Sequence, residues 1–130
     1  MEQAKKIMDK IKNIAPDIHR QRLLIEGFWT IDVKEETVSK YLTELAAELN
    51  LRTYGDPVIF APASGMGKDE NAGFDAFVPL IDSGISGYFW SKNKFLSVVI
   101  YTCKGFSNDD AINFTKSYFA VEEEMVSFGF

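Results

Sequence analysis

Ser83 and Cys103 are the residues of this chain whose types and spacing could do chemistry together. Ser83 follows Asp82 and opens Ser-Gly-Ile-Ser-Gly-Tyr-Phe-Trp90. Cys103, the single cysteine, closes Phe95-Leu-Ser-Val-Val-Ile-Tyr-Thr-Cys103, twenty positions after the serine. Both runs have the composition of short strands, so the serine starts one and the cysteine ends the next. A serine hydroxyl can attack a neighbouring carbonyl, and a thiol can deliver a proton. Plainer roles compete with these. Ser83 before Gly84 is a common turn pair, and a strand-end cysteine is often a small buried apolar residue.

Four other side chains enter the candidate set. Glu26 interrupts the apolar run Leu23-Leu24-Ile25-Glu26-Gly27-Phe28-Trp29. It either faces solvent or supplies the pocket carboxylate that an aminopropyl or guanidino group would need. Asp75 and Asp82 could share that role, against the plainer reading of solvated strand ends. Trp90 is either packing or part of a binding surface.

The elements that must position these groups follow from the hydrophobic pattern. Ile7, Met8, Ile11 and Ile14 have helical spacing over residues 3–14, and Pro16 closes that segment. It reads as an N-terminal helical extension, residues 1–19, ahead of a single domain over 20–130. Leu23 to Trp29 is a buried first strand. Asp32, with Glu35 three residues on, offers an N-cap for a helix carrying Val38, Tyr41, Leu42, Leu45 and Leu49 on one face. Arg52 to Phe60 is a second strand, bent or at an edge because of Pro57. Residues 61–73 form a polar, Gly-rich loop. Strands follow over 74–81, 85–90 and 95–103, with Ser91-Lys-Asn-Lys94 as a hairpin turn. Ser107 and Asp110 start a last helix through Ile112, Phe114, Tyr118 and Phe119. Hairpin-length connections imply an antiparallel sheet with both main helices on one face, a two-layer α+β sandwich.

Bulk properties narrow the function classes. The 130 residues suit one core, with 46% apolar and 25% charged residues. Eleven phenylalanines and five tyrosines suggest a sheet with well-filled faces. A net charge of −5 argues against a general nucleic-acid binder. No apolar stretch approaches the ~20 residues of a membrane span, and Met1-Glu-Gln-Ala-Lys-Lys lacks a signal-peptide apolar core. One cysteine forms no internal disulfide. A soluble cytoplasmic protein is the expectation. One cysteine and one histidine do not make a zinc site, so no metal is expected. Gly65-Met-Gly67-Lys68-Asp69 lacks the spacing and the Ser/Thr of a phosphate loop. A Ser-His-Asp triad would need distant His19. Glu122-Glu-Glu124 reads as a solvated face.

The segment Gly73–Cys103 resembles, without a gap, the core of the prokaryotic S-adenosylmethionine decarboxylases. That family carries Glu-Ser-His at a self-cleavage point, then His-Thr-Trp-Pro-Glu, then a strand ending in Phe-Thr-Cys. Ser83 falls on the cleaved serine, with Asp82 for the glutamate before it. Trp90 falls on the tryptophan, and Tyr101-Thr102-Cys103 on the strand end. Arg22-Leu-Leu-Ile-Glu-Gly resembles the family's first strand, and the similarity extends over about residues 20–120. The resemblance implies a pyruvoyl cofactor made from Ser83, with Cys103 as proton donor. It further implies a small amine or amino-acid substrate, S-adenosylmethionine or a relative such as arginine or ornithine, and a homodimer with active sites near the subunit boundary.

The chain departs from the pattern at defined positions. Gly84 replaces the histidine after the cleaved serine, and Ser91-Lys92 replaces Pro-Glu. Tyr88 stands for the histidine that assists processing, and Asp75 for a helper serine. With a reference pKa near 10, tyrosine is a poor general base at neutral pH. Two readings follow: a divergent pyruvoyl decarboxylase, or a non-processing homologue that binds a small molecule or pairs with a related active subunit.

Overall fold

The computed structural model describes residues 12–61, 72–81 and 83–130. In chain order the elements are β1 (Gln21–Phe28), α1 (Glu35–Glu48), β2 (Val58–Phe60), β3 (Gly73–Leu80), β4 (Ser83–Trp90), β5 (Phe95–Thr102), α2 (Asn108–Tyr118) and β6 (Val126–Gly129). The strands form one antiparallel sheet in the order β2-β3-β4-β5-β1-β6. Both helices lie on one face, giving the two-layer α+β sandwich that the pattern predicts.

Period-two alternation divides each strand between the two faces. Leu23, Ile25, Ala76, Val78, Leu80, Ile85, Phe89, Leu96, Val98 and Ile100 are buried under the helices. From above, α1 contributes Val38, Tyr41, Leu42, Leu45 and Ala46, and α2 contributes Ala111 and Thr115. Tyr41 is the centre of this layer. Its ring lies 4.7 Å from Phe119, 5.3 Å from Tyr118 and 6.1 Å from Phe114. Its hydroxyl shares a 2.7 Å hydrogen bond with Thr115 Oγ1, which itself donates to the Ala111 carbonyl at 2.8 Å. Burial holds the Tyr41 phenol far above its ordinary pKa, so it stays neutral and bonded.

Several local expectations are corrected. The second strand shrinks from Arg52–Phe60 to Val58–Phe60, with one isolated bridge between Thr53 and Leu80. Gly55 and Pro57 interrupt the rest, since proline has no N–H for the ladder. Lys34, not Asp32, precedes α1, and the Lys34 N–H donates to Thr37 Oγ1 at 3.1 Å. Asp32 instead faces the Lys34 ammonium at 3.6 Å. Ser107 does cap α2, accepting from the Asp110 N–H at 3.1 Å. β6 has no counterpart in the sequence reading; exposed Glu122–Glu124 lead into it. The predicted helix over 3–14 falls mostly outside the described residues, as do 62–71 of the polar loop, and residues 12–14 are not helical.

Among the described residues, Gly73 is the one glycine whose positive φ the fold requires. Its φ is +156°, and a Cβ there would sit 1.7 Å from the Phe89 carbonyl oxygen across the β3–β4 ladder. Gly73→Ala is expected to cost about 3 kcal/mol or more, since backbone must move. Tyr41→Phe removes one buried bond while Thr115 keeps its carbonyl acceptor, so its cost is about 1 kcal/mol. Urea denaturation of the two variants checks both values.

Candidate active site

The β4–β5 hairpin positions the Ser83–Cys103 pair. Its register sets Trp90 against Phe95 and Gly84 against Tyr101. One residue further, Ser83 stands beside Thr102, with Cys103 next. Ser83 is thus the first residue of β4 and pairs with Leu80 on β3, rather than lying in a turn before the strand. Its Oγ accepts a 2.9 Å hydrogen bond from the Cys103 N–H. The backbone beyond β5 is fixed by fully buried Thr102. Its Oγ1 accepts from the Lys104 N–H and donates to the Lys104 carbonyl, both at 2.8 Å.

The pair opens into a cavity of about 260 Å³ at the end of the sheet. The segment after α1 makes its far wall. The Tyr54 N–H donates to the Pro79 carbonyl at 2.9 Å, and the Ile81 N–H to the Arg52 carbonyl at 3.2 Å. Leu51, Leu80 and Ile81 give that wall its apolar character, while Arg52 and Lys104 line it with cations. The Lys104 ammonium donates to the Asn50 carbonyl at 3.0 Å. Neither cation stood out in the sequence. Lys104 directly follows the cysteine, and Arg52 reads from the sequence as the start of a strand.

The other sequence candidates lie elsewhere. Asp75 pairs with Tyr88, Tyr88 with Ser97, and Ser97 with Glu26, so one rung of the sheet carries all four. Phe60 and Val126 end that rung on the outer strands. The row sits on the face away from the helices. Glu26 Oε2 accepts from the Ser97 hydroxyl at 2.7 Å. Tyr88 is five residues from Ser83 and on the opposite face, roughly 16 Å along the strand. Trp90 is farther still, its ring tilted against Phe95 at 5.5 Å, and Phe95 meets Phe28 at 5.2 Å. Asp82 is outside the described residues. His19 lines a separate polar concavity with Lys12, Arg20 and Arg22.

Of the seven predicted site residues, the structure therefore brings together Ser83 and Cys103. It gathers Asp75, Tyr88 and Glu26 into a second, separate row. Ser97 was missed because a serine alternating with apolar residues carries no signal until its cross-strand partner is known. The chemistry of the first group is a hydroxyl whose oxygen already holds an N–H donor. That donor would stabilise negative charge developing on Oγ.

A family model described as S-adenosylmethionine decarboxylase matches residues 30–128. The chain belongs to that family. The matched range includes Asp75, Ser83, Tyr88, Trp90 and Cys103, and leaves out Glu26. The crystal structure of the adenosylmethionine decarboxylase from Aquifex aeolicus VF5 is similar, with a TM-score of 0.68 and 15% identity. The likeness covers 87% of this chain and 89% of that one, and at such identity it is a likeness of fold. No curated protein matches the chain.

Where the family pattern has a histidine after the cleaved serine, this member has Gly84 under the ring of Phe77. A Cβ at Gly84 would lie 2.4 Å from that ring. On the face away from the helices, opposite to that of Ser83, the space over Gly84 is thus filled by an aromatic from the neighbouring strand. Among the described residues lining the Ser83 cavity there is no histidine.

Thr102→Val tests how the cavity floor is held. It leaves the Lys104 N–H without its acceptor and is expected to cost about 1–3 kcal/mol. Loosened backbone at Cys103 should also speed thiol alkylation in the native state. Denaturation and labelling rates measure the two effects.

Proposed function

We propose that this chain is a self-processing, pyruvoyl-dependent decarboxylase of an amino acid, with Ser83 as cofactor precursor and Cys103 as proton donor. The observation that carries the reading is the 2.9 Å bond from the Cys103 N–H to Ser83 Oγ at the mouth of a cavity. In processing, Oγ forms an ester bond to the carbonyl carbon of Asp82 as the Asp82–Ser83 amide bond breaks. β-Elimination then breaks the ester C–O bond, frees the Asp82 carboxylate and leaves an unsaturated residue 83. Water hydrolyses it to the pyruvoyl group and ammonia leaves.

The residues present fit such a group. Ser83 is the first residue of a strand held on both sides by β3 and β5, so a cut before it leaves the new chain end anchored. A pyruvoyl group supplies a ketone that captures an α-amine and withdraws electrons as CO₂ leaves. Cys103 contributes two things of its own: a backbone N–H donor toward residue 83, and a thiol on a half-buried residue at the same cavity. The thiol would return the proton to the decarboxylated carbon. Family membership favours S-adenosylmethionine or a related amino acid on the way to polyamines as substrate.

The second reading is a non-processing homologue acting as a small-molecule-binding or partner subunit. What favours it is the Phe77 ring seated on Gly84 and the cavity lining without histidine. Intact mass under denaturing conditions separates the two. Fragments of residues 1–82 and 83–130, the second without its amine nitrogen, support the decarboxylase. A single intact chain overturns it and leaves the binding reading.

We also propose that the active species is a homodimer joined through the sheet face away from the helices. That face carries Phe28, Val58, Phe60, Phe77, Tyr88, Tyr101, Val126, Phe128 and Phe130, each 41–66% exposed. Monomers rarely leave so much contiguous apolar surface in water, and two such faces can pack as aligned sheets. Asp75 and Tyr88 lie on this face, whereas Ser83 points to the helix side. Val126→Lys with Phe128→Lys should convert a dimer to a monomer in sedimentation-velocity runs. A wild-type chain that sediments as a monomer at micromolar concentration would sink the proposal.

A further inference from the structure

Strand parity puts four rows of side chains on the sheet face away from the helices. The first row holds Arg22, Tyr101, Gly84 and Pro79, and the second Leu24, Val99, Ser86, Phe77 and Val58. The third is the rung of Glu26, Ser97, Tyr88 and Asp75, and the fourth holds Phe28, Phe95 and Trp90. On β6, Phe128 extends the second row and Val126 the third. Arg22, Glu26 and Asp75 are the charged residues among these strand positions.

We infer that two copies of the chain pack these faces about a twofold axis crossing the strands over Leu24, so that Arg22 of each copy meets Glu26 of the other. The inference rests on the homodimer reading and names the contacts that set its geometry.

Neither charge is settled within its own chain. Arg22 Nε is buried without a hydrogen-bond partner, and the guanidinium carbon lies 5.4 Å from the centre of the Phe130 ring. Asp17 shares a concavity with Arg22, but among the described residues no ion pair joins them. Ser97 donates to Glu26 Oε2, and among the described residues Oε1 has no donor. Arg22 and Glu26 lie four residues apart on β1, roughly 13 Å, too far to pair in one chain. Covering either charge with a second sheet is costly unless an opposite charge meets it. A guanidinium against a carboxylate answers both needs at once.

The charges also choose between the two simple ways of stacking the faces. An axis running along the strands lays the third row on itself and gathers Glu26 and Asp75 of both copies, with no cation in that row. An axis running across the strands over Leu24 lays the largely apolar second row on itself and the first row on the third. Arg22 and Glu26 stand two residues to either side of Leu24, so a single rotation makes both contacts. The strands of the two sheets stay aligned, as face-to-face sheets require. Asp75 is exposed and three strands from β1, away from the centre of this contact.

Sedimentation velocity of the full chain over a concentration series is the test. Arg22→Glu and Glu26→Arg each place like charges at both contacts and should weaken self-association at least about tenfold. Mixed together, the two variants should form a heterodimer about as tight as the wild-type dimer, because both contacts are then opposite in charge. Arg22→Gln and Glu26→Gln are milder and should each weaken the dimer several-fold, which keeps the readout if a charge reversal fails to fold. A wild-type chain that is monomeric at micromolar concentration overturns the homodimer reading and this inference with it. A wild-type dimer that is broken by Val126→Lys with Phe128→Lys, yet unchanged by all four charge variants, overturns the inference alone. So does a mixture of the two reversed variants, each folded by circular dichroism, that associates no better than either by itself.

Discussion

The register of the β4–β5 hairpin is the constraint on which the rest of the site depends. Once Trp90 faces Phe95, every pair along the two strands is fixed, and Ser83 must arrive beside Thr102 and Cys103. The twenty-residue spacing of serine and cysteine is thus a consequence of strand length and a four-residue turn. The turn is pinned from both sides. Lys94, at φ +53°, offers its carbonyl to the Trp29 N–H at 2.9 Å, and the Ser91 N–H donates to the Ala72 carbonyl at 2.9 Å. A slip of one residue would turn every side chain to the other face and bring Cys103 out of reach of Ser83.

That same alternation decides where chemistry is possible. Odd positions of β4 point toward the helices and even positions away, so Ser83 and Tyr88 were never going to share a pocket within one chain. The helix-side layer is closed by Tyr41, whose ring meets four other aromatics and whose hydroxyl is satisfied by Thr115. The opposite layer has no such cover. Its aromatic residues surround a polar rung, and the Ser97–Glu26 bond leaves that carboxylate partly satisfied within apolar surroundings. Both helices are thus committed to one face, and the other is available for association.

Much of this was legible in the sequence, for reasons that differ by element. The long strands and α1 announced themselves through period and residue type, and Ser107 marked α2 through its own hydroxyl. β6 was not legible because Val126–Gly129 is short, exposed throughout and paired only with β1, so it carries no burial pattern. Asp32 misled as a cap because a Thr at N3 can bond the preceding backbone N–H without any acidic residue. At the site, the Ser83–Cys103 proximity was readable from spacing. The separation of Asp75 and Tyr88 from it was readable in principle from strand parity. The Arg52–Lys104 lining was not, because the two residues are far apart in sequence and come to one cavity through tertiary pairings such as Thr53 with Leu80 and Lys104 with Asn50.

The departures from the family pattern are physically connected rather than scattered. A histidine after the cleaved serine needs space beside the strand, and here Phe77 fills that space over Gly84. Phe77 belongs to the apolar face, so the ring that closes over Gly84 is part of the packing of that face. Removing a histidine also removes a titrating group from the neighbourhood of Ser83, where the described charged side chains are the cations Arg52 and Lys104. A nucleophilic oxygen that already accepts a backbone N–H needs less help from a base, because that donor favours its anionic form.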